Sequence, residues 1–211
     1  MADRQPPPEH YFSADPAVAT RPRAVTVNLP DQAIVLRTDR GVFSRAGLDP
    51  GTEVLLGGIP APPDGATLLD LGCGHGVVAI AIARRAPRAR VIAVDVNSRA
   101  LTLARANAAA NGAANVEVCR PDEVDAGLRF AAIYSNPPIR VGRRPLIELL
   151  ASWLARLEPG GRAYLVVQRH LGADSLMATL GSEGFDASRI SSKRGYRLIE
   201  VRDAVPRLHD P

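Results

Sequence analysis

The stretch from residue 66 to residue 86 restricts the fold more than any other part of the chain. The apolar run Ala66-Thr67-Leu68-Leu69-Asp70-Leu71 breaks into Gly72-Cys73-Gly74-His75-Gly76, and Val77-Val78-Ala79-Ile80-Ala81-Ile82-Ala83 follows. The first run suits a buried parallel strand. The last suits a helix, closed by Arg84, Arg85 and Pro87. Residues 90–96 supply a second apolar strand with Asp95 at its carboxyl end. A strand, a glycine turn, a helix and another strand make one βαβ unit, the repeating piece of an open α/β sheet. The glycines let the backbone turn tightly and let a ligand approach with no side chain between. Free N–H groups at the helix start attract a negative group such as a carboxylate. An acid at the end of the second strand suits the two hydroxyls of a ribose.

A dinucleotide site shares this topology, but its fingerprint places glycine at the sixth position of G-x-G-x-x-G. Counting from Gly72 that position is Val77, and Asp70 stands ahead of the first glycine. An acid there suits a ligand with a free amino group better than a pyrophosphate. An unliganded turn would account for the glycines alone, but not for Asp95.

A second segment adds chemistry. Residues 130–135 read as a short buried strand, and Asn136-Pro137-Pro138-Ile139 follows at its carboxyl end, the edge where open α/β sheets bind ligands. Asn-Pro pairs often only mark turns. Here, however, Pro137 and Pro138 remove two N–H donors and leave the Asn136 side-chain oxygen and the Pro137 carbonyl as acceptors. An exocyclic –NH2 offers two matching donors. Holding both hydrogens aims the nitrogen and draws its lone pair out of conjugation. With the glycine turn, this points to methyl transfer from S-adenosylmethionine onto a planar amino group, driven by positioning and charge stabilisation.

The rest of the chain is ordered around these segments. Residues 1–23 read as an extended or disordered N-terminal segment. Residues 24–60 form an appendage: strands at 24–28 and 33–38 joined as a hairpin, then a short helix at about 52–57 after the Asp49-Pro50-Gly51-Thr52 turn. Residues 61–211 make the main domain. In it, Ser98 caps a helix running to Ala110, residues 116–120 form a strand, and residues 144–158 form a helix with Leu146, Leu149, Leu150, Trp153, Leu154 and Leu157 on its apolar face. Pro159-Gly160-Gly161 stops that helix, residues 162–168 are a strand, residues 173–180 a helix, and 187–192 with 196–203 a closing antiparallel pair. The expected fold is α/β, with a seven-stranded, mostly parallel sheet ending in an antiparallel pair.

No apolar stretch reaches the ~18 residues of a membrane span, and Pro6 to Pro8 would break a signal peptide. Cys73 and Cys119 have neither C-x-x-C spacing nor a disulfide pattern; no metal is expected. A cytoplasmic monomer is the simplest reading. Net charge is +4, and Lys193 is the sole lysine. Basic groups recur along the chain: Arg140, Arg143 and Arg144, then Arg169 with His170, then Lys193, Arg194 and Arg197; the first two are expected to flank the active edge. Such a basic rim attracts nucleic acid.

These motifs resemble those of the small-domain class I methyltransferases, with a Rossmann-like fold, and specifically the bacterial 16S ribosomal RNA guanine-N2 methyltransferases. The resemblance rests on His10-Tyr11-Phe12-Ser13, Thr38-Asp39-Arg40-Gly41-Val42-Phe43-Ser44, the glycine turn, Val94-Asp95-Val96-Asn97, Asn136-Pro137-Pro138-Ile139-Arg140-Val141-Gly142 and Gly195-Tyr196. It implies that Asp70, Gly72, Gly74 and Gly76 hold the methionine part of S-adenosylmethionine, with Cys73 and Asn136 also against the cofactor. Asp95 would take the ribose, and Val96 and Asp122 would flank the adenine. Asn136 and Pro137 would hold the target amine. Phe43 and Ser44 would close the pocket, with Pro138, Ile139, Arg140, Arg143 and Arg144 facing the substrate. The implied partner is ribosomal RNA or the small ribosomal subunit. Ile139 stands where related amino-methyltransferases often carry an aromatic residue that stacks on a flipped base. That argues against a typical adenine-N6 or protein-glutamine enzyme, which remain the rival substrates; an RNA-binding or ribosome-assembly factor with weak catalysis is the rival class.

Overall fold

In a computed structural model, residues 21–42, 48–138 and 141–203 are described. A hairpin of β1 (Arg23–Asn28) and β2 (Ala33–Thr38) forms its own two-stranded sheet. Helix α1 (Pro50–Gly58) follows, then β3 (Thr67–Leu71), α2 (Val77–Arg85), β4 (Arg90–Val94), α3 (Ser98–Ala110) and β5 (Val116–Cys119). The chain then returns through β6 (Phe130–Ser135), α4 (Arg143–Leu154), β7 (Leu157–Gln168), α5 (Ala173–Ser182), β8 (Phe185–Lys193) and β9 (Tyr196–Asp203). The main sheet has seven strands in the order β5-β4-β3-β6-β7-β9-β8. It is parallel from β5 to β7, and β9 runs antiparallel to both β7 and β8. The expected architecture is therefore present, hairpin included.

Strand order places the site. From β3 the chain winds outward through β4 and β5, then crosses back to lay β6 on the other side of β3. The carboxyl ends of β3 and β6 thus diverge at a switch point, where open α/β sheets form a ligand crevice.

Alternation along each strand divides the core into two layers. Leu68, Ala132, Tyr134, Val166 and Leu198 pack with α1, α2, α3 and the hairpin. Leu69, Ile133, Leu165, Ile199 and Val201 pack with α4 and α5. Both layers are mostly aliphatic, with Phe130 against Trp153 in the second (ring centroids 6.2 Å apart).

Three local expectations need correction. Asn97, not Ser98, caps α3: its side chain accepts the Ala100 N–H at 3.1 Å. Helix α4 ends at Leu154, so Leu157 belongs to β7, and Ile147 rather than Leu149 is buried. Pro159-Gly160-Gly161 does not separate helix from strand; it lies inside β7, where the register jumps from Phe130↔Leu157 to Ala132↔Arg162. Those residues bulge where no ladder bond is asked of the proline.

Candidate active site

Neighbouring strands bring the two motifs together. Leu71 pairs with Ser135 in the β3–β6 register, and Ser135 Oγ donates to the Leu71 carbonyl at 2.8 Å. The glycine turn and Asn136 therefore leave the sheet side by side. They line a cavity of about 280 Å³, together with Val42, Asp49, Asp95, Val96 and Tyr196.

Of the glycines, Gly72 (φ +76°) and Gly74 (φ +53°) line this cavity, and nothing lies within 4 Å of where a Cβ would stand on either. They form a bare backbone cradle that a side chain would fill. Gly76 (φ +89°) serves another purpose. A Cβ there would meet Ala104 Cβ at 3.1 Å, so its absence lets α2 close on α3.

Asp95 shapes the turn as well as facing the cavity. Its Oδ2 accepts the Gly74 N–H and its Oδ1 the Asn97 N–H, both at 2.9 Å. Burial pushes its carboxyl above the usual range, against those hydrogen bonds. Asp70 sits deeper, 2% exposed, with Oδ2 accepting the Ala79 N–H of α2 at 2.9 Å. One of the helix-start donors expected to meet a ligand carboxylate is thus taken by Asp70 itself. Burial raises the Asp70 carboxyl to about 7, and the nearby Asp95 charge adds to the effect. Cys73 is buried, and its thiol is pushed up by desolvation, so it is a packing residue rather than a nucleophile. Asp70, Cys73, Gly76 and Asp122 do not line the cavity; Pro121, beside Asp122, does.

Asn136 is held by two side chains of the α1 turn. Its Nδ2 donates to Asp49 Oδ2 at 2.8 Å and to Thr52 Oγ1 at 3.0 Å. The Pro138 carbonyl accepts the Val141 N–H at 3.2 Å. Among the described residues, the Asn136 Oδ1 and the Pro137 carbonyl accept no hydrogen bond, which leaves two acceptors at the cavity.

Pro138 lines the cavity, whereas Phe43, Ser44, Ile139, Arg140 and the His10–Ser13 motif lie outside the described residues. Arg143 and Arg144 are engaged elsewhere. Arg143 bonds Thr179 Oγ1 at 2.7 Å and ties α4 to α5, while exposed Arg144 pairs with Glu148 at 2.8 Å. Arg194 and Arg197 pair with Glu53 and Asp174. Arg169, His170 and Lys193 are exposed, and the Arg169 N–H donates to the Gly195 carbonyl at 2.8 Å, drawing the β8–β9 turn to the end of β7. Arg169, His170 and Lys193 thus lie near the end of β7, and Arg143 and Arg144, also exposed, at the start of α4. No cluster of His, Cys, Asp or Glu placed to hold a metal occurs among the described residues, and no described helix is long and apolar enough to cross a membrane.

Sequence reasoning placed Asp49 and Thr52 in a turn and gave them no role; both converge on Asn136. Tyr196, noted only within a motif, forms part of the cavity wall.

Comparison with known proteins agrees with this architecture. The chain is 30% identical over 197 residues to the uncharacterized protein YbxB of Bacillus subtilis, covering 92% of this chain and 98% of that one. It is 36% identical over 196 residues to ribosomal RNA small subunit methyltransferase C of Pseudomonas aeruginosa, covering 86% of this chain and 57% of the relative. The chain therefore spans little more than half the length of that relative. Among solved structures, it resembles the Thermus thermophilus 16S rRNA N2 G1207 methyltransferase in complex with AdoMet and guanosine, with a TM-score of 0.72 at 23% identity. The match covers 89% of this chain and 52% of the other. Residues 33–200 match the methyltransferase small domain, and the chain belongs to that family.

Proposed function

We propose that this chain transfers a methyl group from S-adenosylmethionine to the exocyclic N2 amine of a guanine in 16S ribosomal RNA. The observation that carries the reading is the pair of unengaged acceptors, Asn136 Oδ1 and the Pro137 carbonyl, set beside a bare glycine cradle. The names of relatives support the substrate: a small-subunit rRNA methyltransferase in sequence, and a guanine-N2 enzyme in fold.

The residues present fit such a cofactor. Gly72 and Gly74 leave backbone room where side chains would collide with it. Asp95 presents carboxylate oxygens to ribose hydroxyls, and Val96, exposed at the cavity, offers an apolar face to a base. Asp70 lies beneath the turn, where a cationic amino group above would favour its charged form against the burial that raises it to about 7. When bound, the cofactor supplies an electrophilic methyl on a positively charged sulfur.

The protein's part is geometric and electrostatic. Asn136 and Pro137 each accept one hydrogen of the amine, turning its lone pair toward the methyl. With the cofactor bound, the two acceptors would stabilise the positive charge that develops on the amine nitrogen as it takes the methyl, until a proton leaves to water. Residues 61–211 form the catalytic domain, and the appendage at 24–60 completes its cavity through Val42 and Asp49. Arg169, His170 and Lys193 meet RNA phosphates. The enzyme works as a cytoplasmic monomer on ribosomal RNA or the small subunit.

Mapping of methylated nucleotides in 16S rRNA from cells with and without the gene tests the substrate. Loss of one N2-methylguanine is expected; loss of a methyladenine, or of no rRNA methyl group, would refute the reading. Asn136→Ala should bind cofactor normally yet transfer methyl about 10²–10³-fold more slowly in single turnover.

A further inference from the structure

We propose that Asp49 is the positioning residue that fixes the polarity of Asn136, making the amide present its oxygen, and not its –NH2, to the methyl acceptor. The inference rests on the amine-methylation reading and adds a residue to it.

An asparagine amide is ambiguous: rotated by half a turn, it exchanges a donor for an acceptor. Its neighbours must choose. A carboxylate has only acceptor oxygens at neutral pH, so the amide face turned to Asp49 Oδ2, 2.8 Å away, has to be nitrogen. Thr52 Oγ1, at 3.0 Å, takes the second hydrogen. With both Nδ2 hydrogens spent, Oδ1 is left for the cavity. The flipped amide would set its oxygen against a carboxylate and offer hydrogens to an amine that has hydrogens of its own.

Asp49 is itself held fast. It caps α1, and the same Oδ2 accepts the Thr52 N–H at 3.1 Å. A Cβ on Gly51 would meet Asp49 Oδ2 at 2.9 Å and Tyr196 Cε1 at 2.8 Å, so the carboxylate and the ring both pack against that glycine. Its charge also polarises the amide, so that electron density moves toward Oδ1 as the amine becomes cationic.

Helix capping alone is the competing role, and variants separate the two. Asp, Asn and Ser all cap helices well. Asp49→Ser keeps a capping oxygen but is too short to reach Asn136, whereas Asp49→Asn keeps an acceptor at full reach without charge. In single turnover, Asp49→Ser should slow methyl transfer by roughly 10–100-fold, the scale on which loss of an outer partner disturbs an oriented group, with cofactor affinity by calorimetry near wild type. Asp49→Asn should recover much of that loss. In an Asn136→Ala background, Asp49→Ser should cost nothing further, because the group it orients is gone. The ratios are read on whichever amine the wild type methylates, so a mistaken substrate does not pass for a failure of Asp49. Independently of activity, the Asn136 side-chain –NH2 resonances, identified by their loss in Asn136→Ala, should exchange slowly with solvent in the wild type and fast in Asp49→Ser. Equal rates for all three residues at position 49, a penalty fully additive with Asn136→Ala, or unchanged amide exchange would each overturn the proposal.

Discussion

Replacing Asn107 with alanine should unfasten the hairpin from the main domain. Strand β2 pairs with β1 along one edge; its other edge meets no strand. Asn107 of α3 and Asn111, which caps that helix, take that place. Asn107 Oδ1 accepts the Arg37 N–H at 2.7 Å, while its Nδ2 donates to the carbonyls of Arg37 and His75, both at 2.9 Å. One turn along, Asn111 Oδ1 accepts the Val35 N–H at 3.0 Å, and its Nδ2 donates to the Val35 carbonyl at 2.7 Å. The match is geometric, since four helical residues rise about 6 Å and two strand residues advance about 6.8 Å. Asn107 is fully buried, so its loss strands a donor and two acceptors away from water. At about 1 kcal/mol for each ordinary bond and up to about 3 for a stranded buried group, Asn107→Ala should cost roughly 3–5 kcal/mol. Asn111→Ala, on an exposed edge where water substitutes, should cost less than about 1 kcal/mol. Asn107→Asp should be no better than alanine, because a carboxylate would face two carbonyl oxygens. Urea unfolding gives the stabilities, and hydrogen exchange at the Arg37 amide reports the local bond. If Asn107→Ala unfolds within 1 kcal/mol of wild type and the Arg37 amide stays protected, the edge-capping argument is wrong.

Two further outcomes follow from the acids. Asp95→Ala should weaken S-adenosylmethionine binding by about 10²-fold or more, since two charge-assisted hydrogen bonds at roughly 1.5 kcal/mol or more are lost; an unchanged dissociation constant by calorimetry would remove Asp95 from the site. Asp70, with a folded value near 7 against 3.8 unfolded, makes the native state hold the extra proton between those limits. Its contribution is complete below about pH 4 and is lost as pH rises toward 7, by a few kcal/mol at most. Asp70→Asn should therefore flatten the fall in urea stability across that window, and an unaltered slope in the variant would show that Asp70 titrates normally.

Local patterning made the sheet legible. β6 begins and ends where the apolar run does, and the βαβ unit around Gly72 follows from glycine placement and apolar runs. The fold is an α/β sheet whose switch point could be anticipated because the strands alternate with helices. What escaped depends on tertiary pairing or on a choice between neighbours of similar type. Proline and glycines signal a stop, yet pairing of Phe130 with Leu157 carries β7 through Pro159 as a bulge. Arginine spacing marked Arg143 and Arg144 as a substrate rim; both are exposed, and they also bond Thr179 and Glu148. Ser98 and Asn97 are comparable caps by type, and the ladder around Asp95 decided for Asn97. Nothing local distinguishes Asn107 and Asn111 from other polar positions on a helix.

The appendage is therefore more than a cover. The glycine cradle and Asn136 come from adjacent strands, whose parallel register alone brings them together. A parallel sheet edge does not, however, dictate which way an amide points. That choice is made from outside the sheet, by the first turn of α1, whose Asp49 and Thr52 can accept both Asn136 hydrogens at once. A nucleophile with a single hydrogen, such as a hydroxyl, would satisfy only one of the two acceptors left at the cavity, and a keto oxygen would be repelled by both. Selection for an –NH2 group thus resides in the contact between α1 and the end of β6. An enzyme that kept its glycine turn and its Asn-Pro-Pro sequence but lost the turn at Asp49 would retain its cofactor site while losing the basis for choosing an amine.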